Sequence, residues 1–254
     1  TTKATPSTPI ASNSASAMLN NWNREYMNYD KIQQVRHSEL VLRRGGLSVS
    51  MRVRRLAMLL SGLEQIQSQS IELEQYATDG DLASRWLTDI STFGDLHEGC
   101  SVADLGAGNG VLGLGAMALG AGRAILVESD AEACDIANFN AEEMGFLEEI
   151  QVIHATLGQE TVDIEAADLI ISNPPRGRQS PKADRPFLDA MLSARVTSHL
   201  MHSAEATHIN PLFEEYGWSV ERYGEADFAL PAAYSHHSRQ RGKTRAAFWR
   251  LTPK

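Results

Sequence analysis

Cysteine is scarce: Cys100 and Cys134 are the only two in 254 residues. Two thiols cannot build a disulfide framework or, alone, a zinc site. Both read as small apolar core residues in a reducing compartment. Long apolar runs are missing as well, and nothing approaches the roughly 18 residues of a membrane span. The opening TTKATPSTPIASNSASAM lacks the apolar centre of a secretory signal. These absences predict a cytoplasmic protein with no membrane contact. Nor is there a basic excess. A formal net charge of −9 excludes overall attraction to nucleic acid and leaves that task to local patches. What remains is an ordinary globular mixture, 43% hydrophobic and 22% charged, of a size for one main domain with an appendage.

The appendage is residues 1–50. Its first 17 residues are mostly Ser, Thr, Ala and Pro, too polar to fold alone, so this extension is expected to be partly disordered. Residues 18–44 carry scattered apolar positions compatible with a helix, which Gly45–Gly46 would end. Residues 51–254 form the predicted domain, with a helical lead-in (51–97) and a core (98–254). In the lead-in, Val53, Leu56, Leu59, Leu60, Leu63 and Ile66 follow helical spacing. Arg52, Arg54 and Arg55 lie between them as a solvated face. Thr78, three residues before Asp81, predicts a capped helix start, with the helix running to about Phe93. Gln75, Tyr76 and Thr78 would sit in the turn before it. Taken alone, they read as a capped turn with a packed tyrosine.

Two stretches of the core carry chemistry. The first is SVADLGAGNG, a short strand followed by a turn of Gly106, Ala107, Gly108 and Gly110. Its glycines let the backbone approach a ligand, and a following helix to about Leu119 aims its N–H groups there. Asp104, at the strand end, could accept from a ligand amine or order the turn. The spacing differs from the dinucleotide fingerprint G-x-G-x-x-G. About twenty residues on, Glu128 ends a second strand, Ala124–Glu128, where two carboxylate oxygens fit a ribose diol. The second stretch is LIISNPPRG, an apolar strand ending in Asn173–Pro174–Pro175. Asn173 precedes a proline and is pushed to extended backbone. The prolines fix the following carbonyls. The Asn173 amide oxygen and a backbone carbonyl oxygen, both on a rigid rim, suit gripping an NH2 group.

Beyond these, strands and helices alternate. Helices are expected over 130–144, 184–193 and 204–216, and strands over 150–153, 167–172 and 195–202. Residues 218–230 and 244–251 read as a closing pair of strands. This predicts a mostly parallel sheet with helices on both faces and ligands at the carboxyl strand ends. Both chemical stretches fall at such ends.

DLGAGNG, Glu128 and NPP, in this order, resemble class I S-adenosylmethionine-dependent methyltransferases that modify an exocyclic or amide nitrogen. LEQYATDGDLASRWL, VADLGAGNGVL, SNPPRGRQSPKADRPFL and LPAAYSHH together resemble the archaeal and eukaryotic methyltransferase-like protein 5 family over about residues 51–251. The resemblance implies a Rossmann-like fold with a seven-stranded sheet. It implies N6-methylation of adenine in small-subunit ribosomal RNA, with S-adenosylmethionine as cofactor. It also implies a small zinc-binding activator protein as partner. Gln75, Tyr76, Thr78, Asp104, Gly106, Ala107, Gly108, Gly110, Glu128, Ser129 and Asn173 become cofactor-pocket residues. Asn173, Pro174, Pro175 and Arg176 become the catalytic rim. Two positions depart from the family. Arg176 stands where an aromatic usually stacks on the flipped base. A guanidinium plane can also stack, but as a cation about 4 Å from a cationic cofactor it meets a repulsion on the order of 4 kcal/mol. Ala155 stands where such enzymes often place an acid for the adenine amine, so His154, Thr156 or a backbone group would have to substitute.

Local charge favours RNA. Arg176, Arg178, Lys182 and Arg185 cluster after NPP with one acid, Asp184. Arg239, Arg241, Lys243, Arg245, Arg250 and Lys254 follow Phe228 with no acid among them. Flanking one pocket, they would contact phosphates. The neighbours His236 and His237 have no further ligand nearby in sequence, and His199 and His202 read as structural, so no metal is expected. The reading is an adenine-N6 RNA methyltransferase. The alternatives are a protein glutamine methyltransferase, a guanine-N2 RNA methyltransferase, and a cofactor-binding RNA module with weak turnover.

Overall fold

A computed structural model describes residues 49–66, 78–176, 181–229 and 243–254. The expected helix within 18–44, together with Gln75, Tyr76, Arg178, Arg239, Arg241, His236 and His237, lies outside them. The lead-in folds as α1 (Val49–Ser61) and α2 (Gly80–Thr92). Helix α1 stops before Gly62, short of Ile66. Leu56, Leu60 and Leu63 are buried and Met58 is exposed, and Arg54 and Arg55 lie in solvent as expected. Helix α2 starts one residue later than predicted. Its N-cap is Asp79, whose Oδ1 accepts from Leu82 N at 2.8 Å. A carboxylate caps better than a threonine hydroxyl, which leaves the Thr78 side chain for another use.

The core then alternates: β1 (Ser101–Leu105), α3 (Val111–Ala118), β2 (Arg123–Glu128), α4 (Ala131–Glu143), β3 (Ile150–His154), β4 (Leu169–Ser172), α5 (Arg185–Ala194), β5 (Ser198–Ser203), α6 (Ile209–Glu215), β6 (Trp218–Ala229) and β7 (Lys243–Pro253). Two expected starts move by three residues or more. Strand β5 begins three residues late because Arg195, with φ 52°, takes the left-handed C-cap of α5. Helix α6 begins at Ile209 because residues 204–208 turn first.

Seven strands form one sheet in the order β3-β2-β1-β4-β5-β7-β6. The pairs β1–β2, β2–β3, β1–β4 and β4–β5 are parallel. Strand β7 runs antiparallel to both β5 and β6, so it alone opposes the other six. Every residue of β1 and β4 is buried, as expected of central strands covered on both faces. One covering layer contains Leu60, Trp86, Leu87, Ile90 and Leu114 of α1, α2 and α3. The other contains Leu188 and Met191 of α5, Phe213 of α6 and the strand residues Trp218 and Trp249. Each large side chain buried this way contributes roughly 1.5–3 kcal/mol.

The order reverses between β1 and β4, whose last residues pair as Leu105 with Ser172. Ligands bind at such a switch point, beyond the carboxyl ends of the strands. Both chemical stretches leave the sheet there, side by side. Away from this site, a polar network ties α2 to the sheet. Trp86 Nε1 donates to Tyr223 Oη at 2.7 Å, and His199 Nδ1 lies 3.0 Å from that oxygen. His199 Nε2 and Arg250 Nε meet Asp95 Oδ2 at 2.8 and 2.6 Å. The structural reading of His199 fits this network. No helix among the described residues is long and apolar enough to cross a membrane.

Candidate active site

The glycine turn is held open by backbone geometry. Gly106, Gly108 and Gly110 have φ of 75°, 55° and 85°, a left-handed run that side-chain-bearing residues resist. A methyl at Gly106 would come 2.9 Å from Phe187 Cε1, whereas a methyl at Gly108 would meet nothing within 4 Å. Gly108 therefore faces open space. Gly110 caps α3, so the first turn of that helix points into the same region.

Acids frame the turn. Asp104 is fully buried. Its Oδ2 accepts from Gly113 N at 2.9 Å, and its Oδ1 has no hydrogen-bond partner among the described residues. Burial pushes the carboxyl up to about 7, with the Gly113 N–H opposing and the Glu128 charge adding to the rise. Glu128 Oε2 accepts from Gly108 N at 2.8 Å, while Oε1 accepts from Ser129 N at 2.8 Å and Asp130 N at 3.0 Å. Glu128 therefore binds the turn and the start of α4 together. Carboxylate oxygens carry about four acceptor positions in all, so Oε2 can still take a hydroxyl.

Ser172 Oγ donates to Leu105 O at 2.7 Å, locking the ends of β4 and β1. Asn173 follows, half-buried. Its Nδ2 donates to Thr78 Oγ1 at 3.1 Å. That bond consumes a donor of the amide and leaves Oδ1 as an acceptor on the rim. Pro174 is buried and Pro175 half-buried. Thr78 and Asn173, 95 positions apart, thus share one contact.

Two buried asparagines, absent from the sequence reading, steady the lead-in against the turn. Asn140 Oδ1 accepts from Glu64 N at 2.8 Å. Its Nδ2 donates to Glu64 O at 3.1 Å and Asn109 O at 3.0 Å. Asn109 Nδ2 donates to Glu64 O at 2.9 Å. An asparagine inside the glycine run and one on the buried face of a helix were the available signals. Beside Ala155, Glu160 Oε2 accepts from Thr156 N at 2.7 Å, so a downstream residue brings a carboxylate there. His154 Nε2 meets Ser129 O at 3.0 Å.

The basic residues divide. The guanidinium nitrogens of Arg176 are buried, and Lys182 is exposed. Arg185 is held by Asp189 at 2.8 Å and Arg245 by Glu225. The Arg185–Asp189 pair is half-exposed, and such pairs are worth roughly 0–1 kcal/mol. Ala229 and Lys243, which bound residues 230–242, pair with each other beyond the Ser203–Ala246 pair. Ala229 and Lys243 therefore lie at the same end of the sheet as NPP.

The orphaned Asp104 oxygen, the open space at Gly108 and the spare lone pair of Glu128 fit a nucleoside cofactor carrying an amine and a ribose. The Methyltransferase small domain family model matches residues 77–202. The protein is 30% identical to the Danio rerio rRNA N(6)-adenosine-methyltransferase METTL5 over 209 residues, covering 80% of this sequence and 100% of that one. An uncharacterised protein of Methanocaldococcus jannaschii is 31% identical over 198 residues, covering 73% of this sequence and 87% of that one. The protein belongs to the METTL5 family of methyltransferases. A crystal structure of a proposed RNA methyltransferase from Pyrococcus horikoshii shares 33% identity and superposes with a TM-score of 0.71, covering 80% of this sequence and 98% of that one. As a METTL5-family member with a class I fold, the protein uses S-adenosylmethionine.

Proposed function

We propose that this METTL5-family enzyme methylates N6 of adenine in small-subunit ribosomal RNA. The observation that carries the reading is the Asn173 rim, oriented by Thr78 and locked through Ser172 to the glycine turn. The full-length match to a relative named for rRNA N6-adenosine methylation supports the same substrate.

Cofactor binding falls to the glycine turn, Asp104, Glu128 and Ser129. Gln75 and Tyr76 belong to this pocket by family resemblance. S-adenosylmethionine, when bound, supplies an activated methyl group. The protein has to prepare the acceptor, since the adenine amine shares its lone pair with the ring. Asn173 Oδ1 and the Pro174 carbonyl each accept one N–H of that amine. Together they draw the nitrogen towards tetrahedral geometry and fix the direction of its lone pair. Such positioning supplies up to roughly 7–11 kcal/mol in well-oriented systems. The target base must first leave its stack, at a cost of a few kcal/mol. Pro175 keeps the rim rigid, and Arg176, whose terminal guanidinium nitrogens are buried, has to turn outward before its plane can take the place of the family's stacking ring.

Lys182, Arg178, Arg239, Arg241 and Lys243 form the phosphate-contacting rim, with Arg185 and Arg245 exchanging their acidic partners for phosphate. A small zinc-binding activator completes the enzyme in the cytoplasm. Strand β3 is an outer strand of the sheet, and Phe139 and Leu147 nearby are exposed, which suits a docking partner. Incubation of the enzyme and activator with unmodified small-subunit RNA, then digestion and mass analysis, tests the proposal. N6-methyladenosine at one position is expected. Methylguanosine, or methylated glutamine in an offered release factor, would overturn it.

A further inference from the structure

Asp184, His202 and His208 come from three separate segments: the start of α5, strand β5 and the turn before α6. Their ligand atoms all lie within 4.8 Å of one another. Asp184 and His202 are buried, and the His208 side chain is half-exposed. His208 Nε2 lies 2.6 Å from Asp184 Oδ2. His202 Nε2 lies 3.3 Å from the same oxygen but outside hydrogen-bond geometry, and both its ring nitrogens are buried with no hydrogen-bond partner among the described residues. The two imidazoles meet edge to face, with centroids 5.5 Å apart.

We propose that Asp184, His202 and His208 form a site for one divalent transition metal of the zinc class. Two imidazole nitrogens and a carboxylate oxygen are a donor set that zinc takes at about 2.0–2.2 Å. Tetrahedral ligand atoms at that radius stand about 3.4 Å apart, which matches the gap between His202 Nε2 and Asp184 Oδ2. The ion gives the buried His202 nitrogen a partner. His208 replaces a hydrogen bond with a metal bond by a small outward shift, which its exposed turn permits. The fourth position opens towards solvent on the His208 side and takes water. A bound ion joins the segment following NPP to the end of β5 and fixes the start of α5, where Phe187 packs against Gly106. The site is distinct from the nucleoside pocket and does not depend on the substrate assignment.

The test uses the full-length protein, stripped with chelator and titrated with zinc chloride, then with cobalt chloride for the visible bands of a tetrahedral Co(II) centre. Wild type is expected to bind one equivalent and to melt at higher temperature with zinc. His208→Ala, at the exposed ligand, keeps the fold and is expected to weaken binding by more than the roughly 10–100-fold that losing an outer-shell partner costs. His97→Ala, at an exposed histidine elsewhere, leaves it unchanged. Wild type binding no zinc overturns the site. So does equal binding by wild type and His208→Ala, which would assign the ion to other residues such as His236 and His237.

Discussion

Removing the Thr78 hydroxyl tests how the reactive amide is aimed. Thr78→Val keeps the shape of the side chain and deletes the acceptor for Asn173 Nδ2, 3.1 Å away. The terminal torsion of asparagine is broad and roughly two-fold, so without this partner the amide can turn Nδ2 towards the rim. A neutral hydrogen bond is worth about 0.5–1.5 kcal/mol net. Placed on the barrier to methyl transfer, that is roughly a 2- to 12-fold fall in kcat. Single-turnover transfer of a tritiated methyl group gives the rate, and calorimetry gives the cofactor Kd separately. The rate should fall in that range with Kd nearly constant, and Thr78→Ser should restore it. An unchanged rate, or a loss carried wholly by Kd, would refute the orienting role and return Thr78 to simple cofactor contact.

The two glycines of the turn should separate stability from binding. Gly106→Ala adds a methyl 2.9 Å from the Phe187 ring on top of left-handed strain of about 1–2 kcal/mol, and should lower the melting temperature more than Gly108→Ala. Gly108→Ala should bear the strain alone but lose cofactor affinity, read by calorimetry. Asp104 has a folded pKa of about 7, raised by burial, so its contribution is fully present below the unfolded value near 3.8 and is lost as pH rises towards 7. Urea unfolding at pH 5.5 and 8 should show wild type losing on the order of 2 kcal/mol relative to Asp104→Asn. Asp95 behaves in the opposite sense. Burial would raise its carboxyl, but the Arg250 and His199 hydrogen bonds outweigh this and hold it below its usual range. Its contribution is present above the unfolded value and disappears as pH falls below about 4. Arg250→Ala should therefore move acid unfolding, followed by circular dichroism, to higher pH.

The mostly parallel sheet was legible because strand–helix alternation is a local pattern, whereas the strand order that sets the switch point between β1 and β4 was not. The glycine turn and NPP could be placed at strand ends by the same means. Contacts that join distant segments were not. Thr78 looked like a cap because its spacing to Asp81 fits one, yet Asp79 caps the helix and Thr78 reaches Asn173. Asn140 shows in sequence only as a polar residue on a helix, and its grip on Glu64 depends on how α1 packs. The histidines followed the same division. Alternation on a strand correctly suggested a structural His199, but nothing local could bring Asp184 and His208 to His202. The basic rim was read from cations alone, so the acids that engage Arg185 and Arg245, at Asp189 and Glu225, were missed.

The most direct test of the central claim is methyl transfer by Asn173→Ala to small-subunit RNA, with cofactor binding measured on the same preparation. Removal of one preorganised polar group at a reacting centre costs roughly 10²–10³-fold in rate. A loss of that size is expected, with the cofactor still bound. Methyl transfer at the wild-type rate would contradict it and take the asparagine rim out of the chemistry.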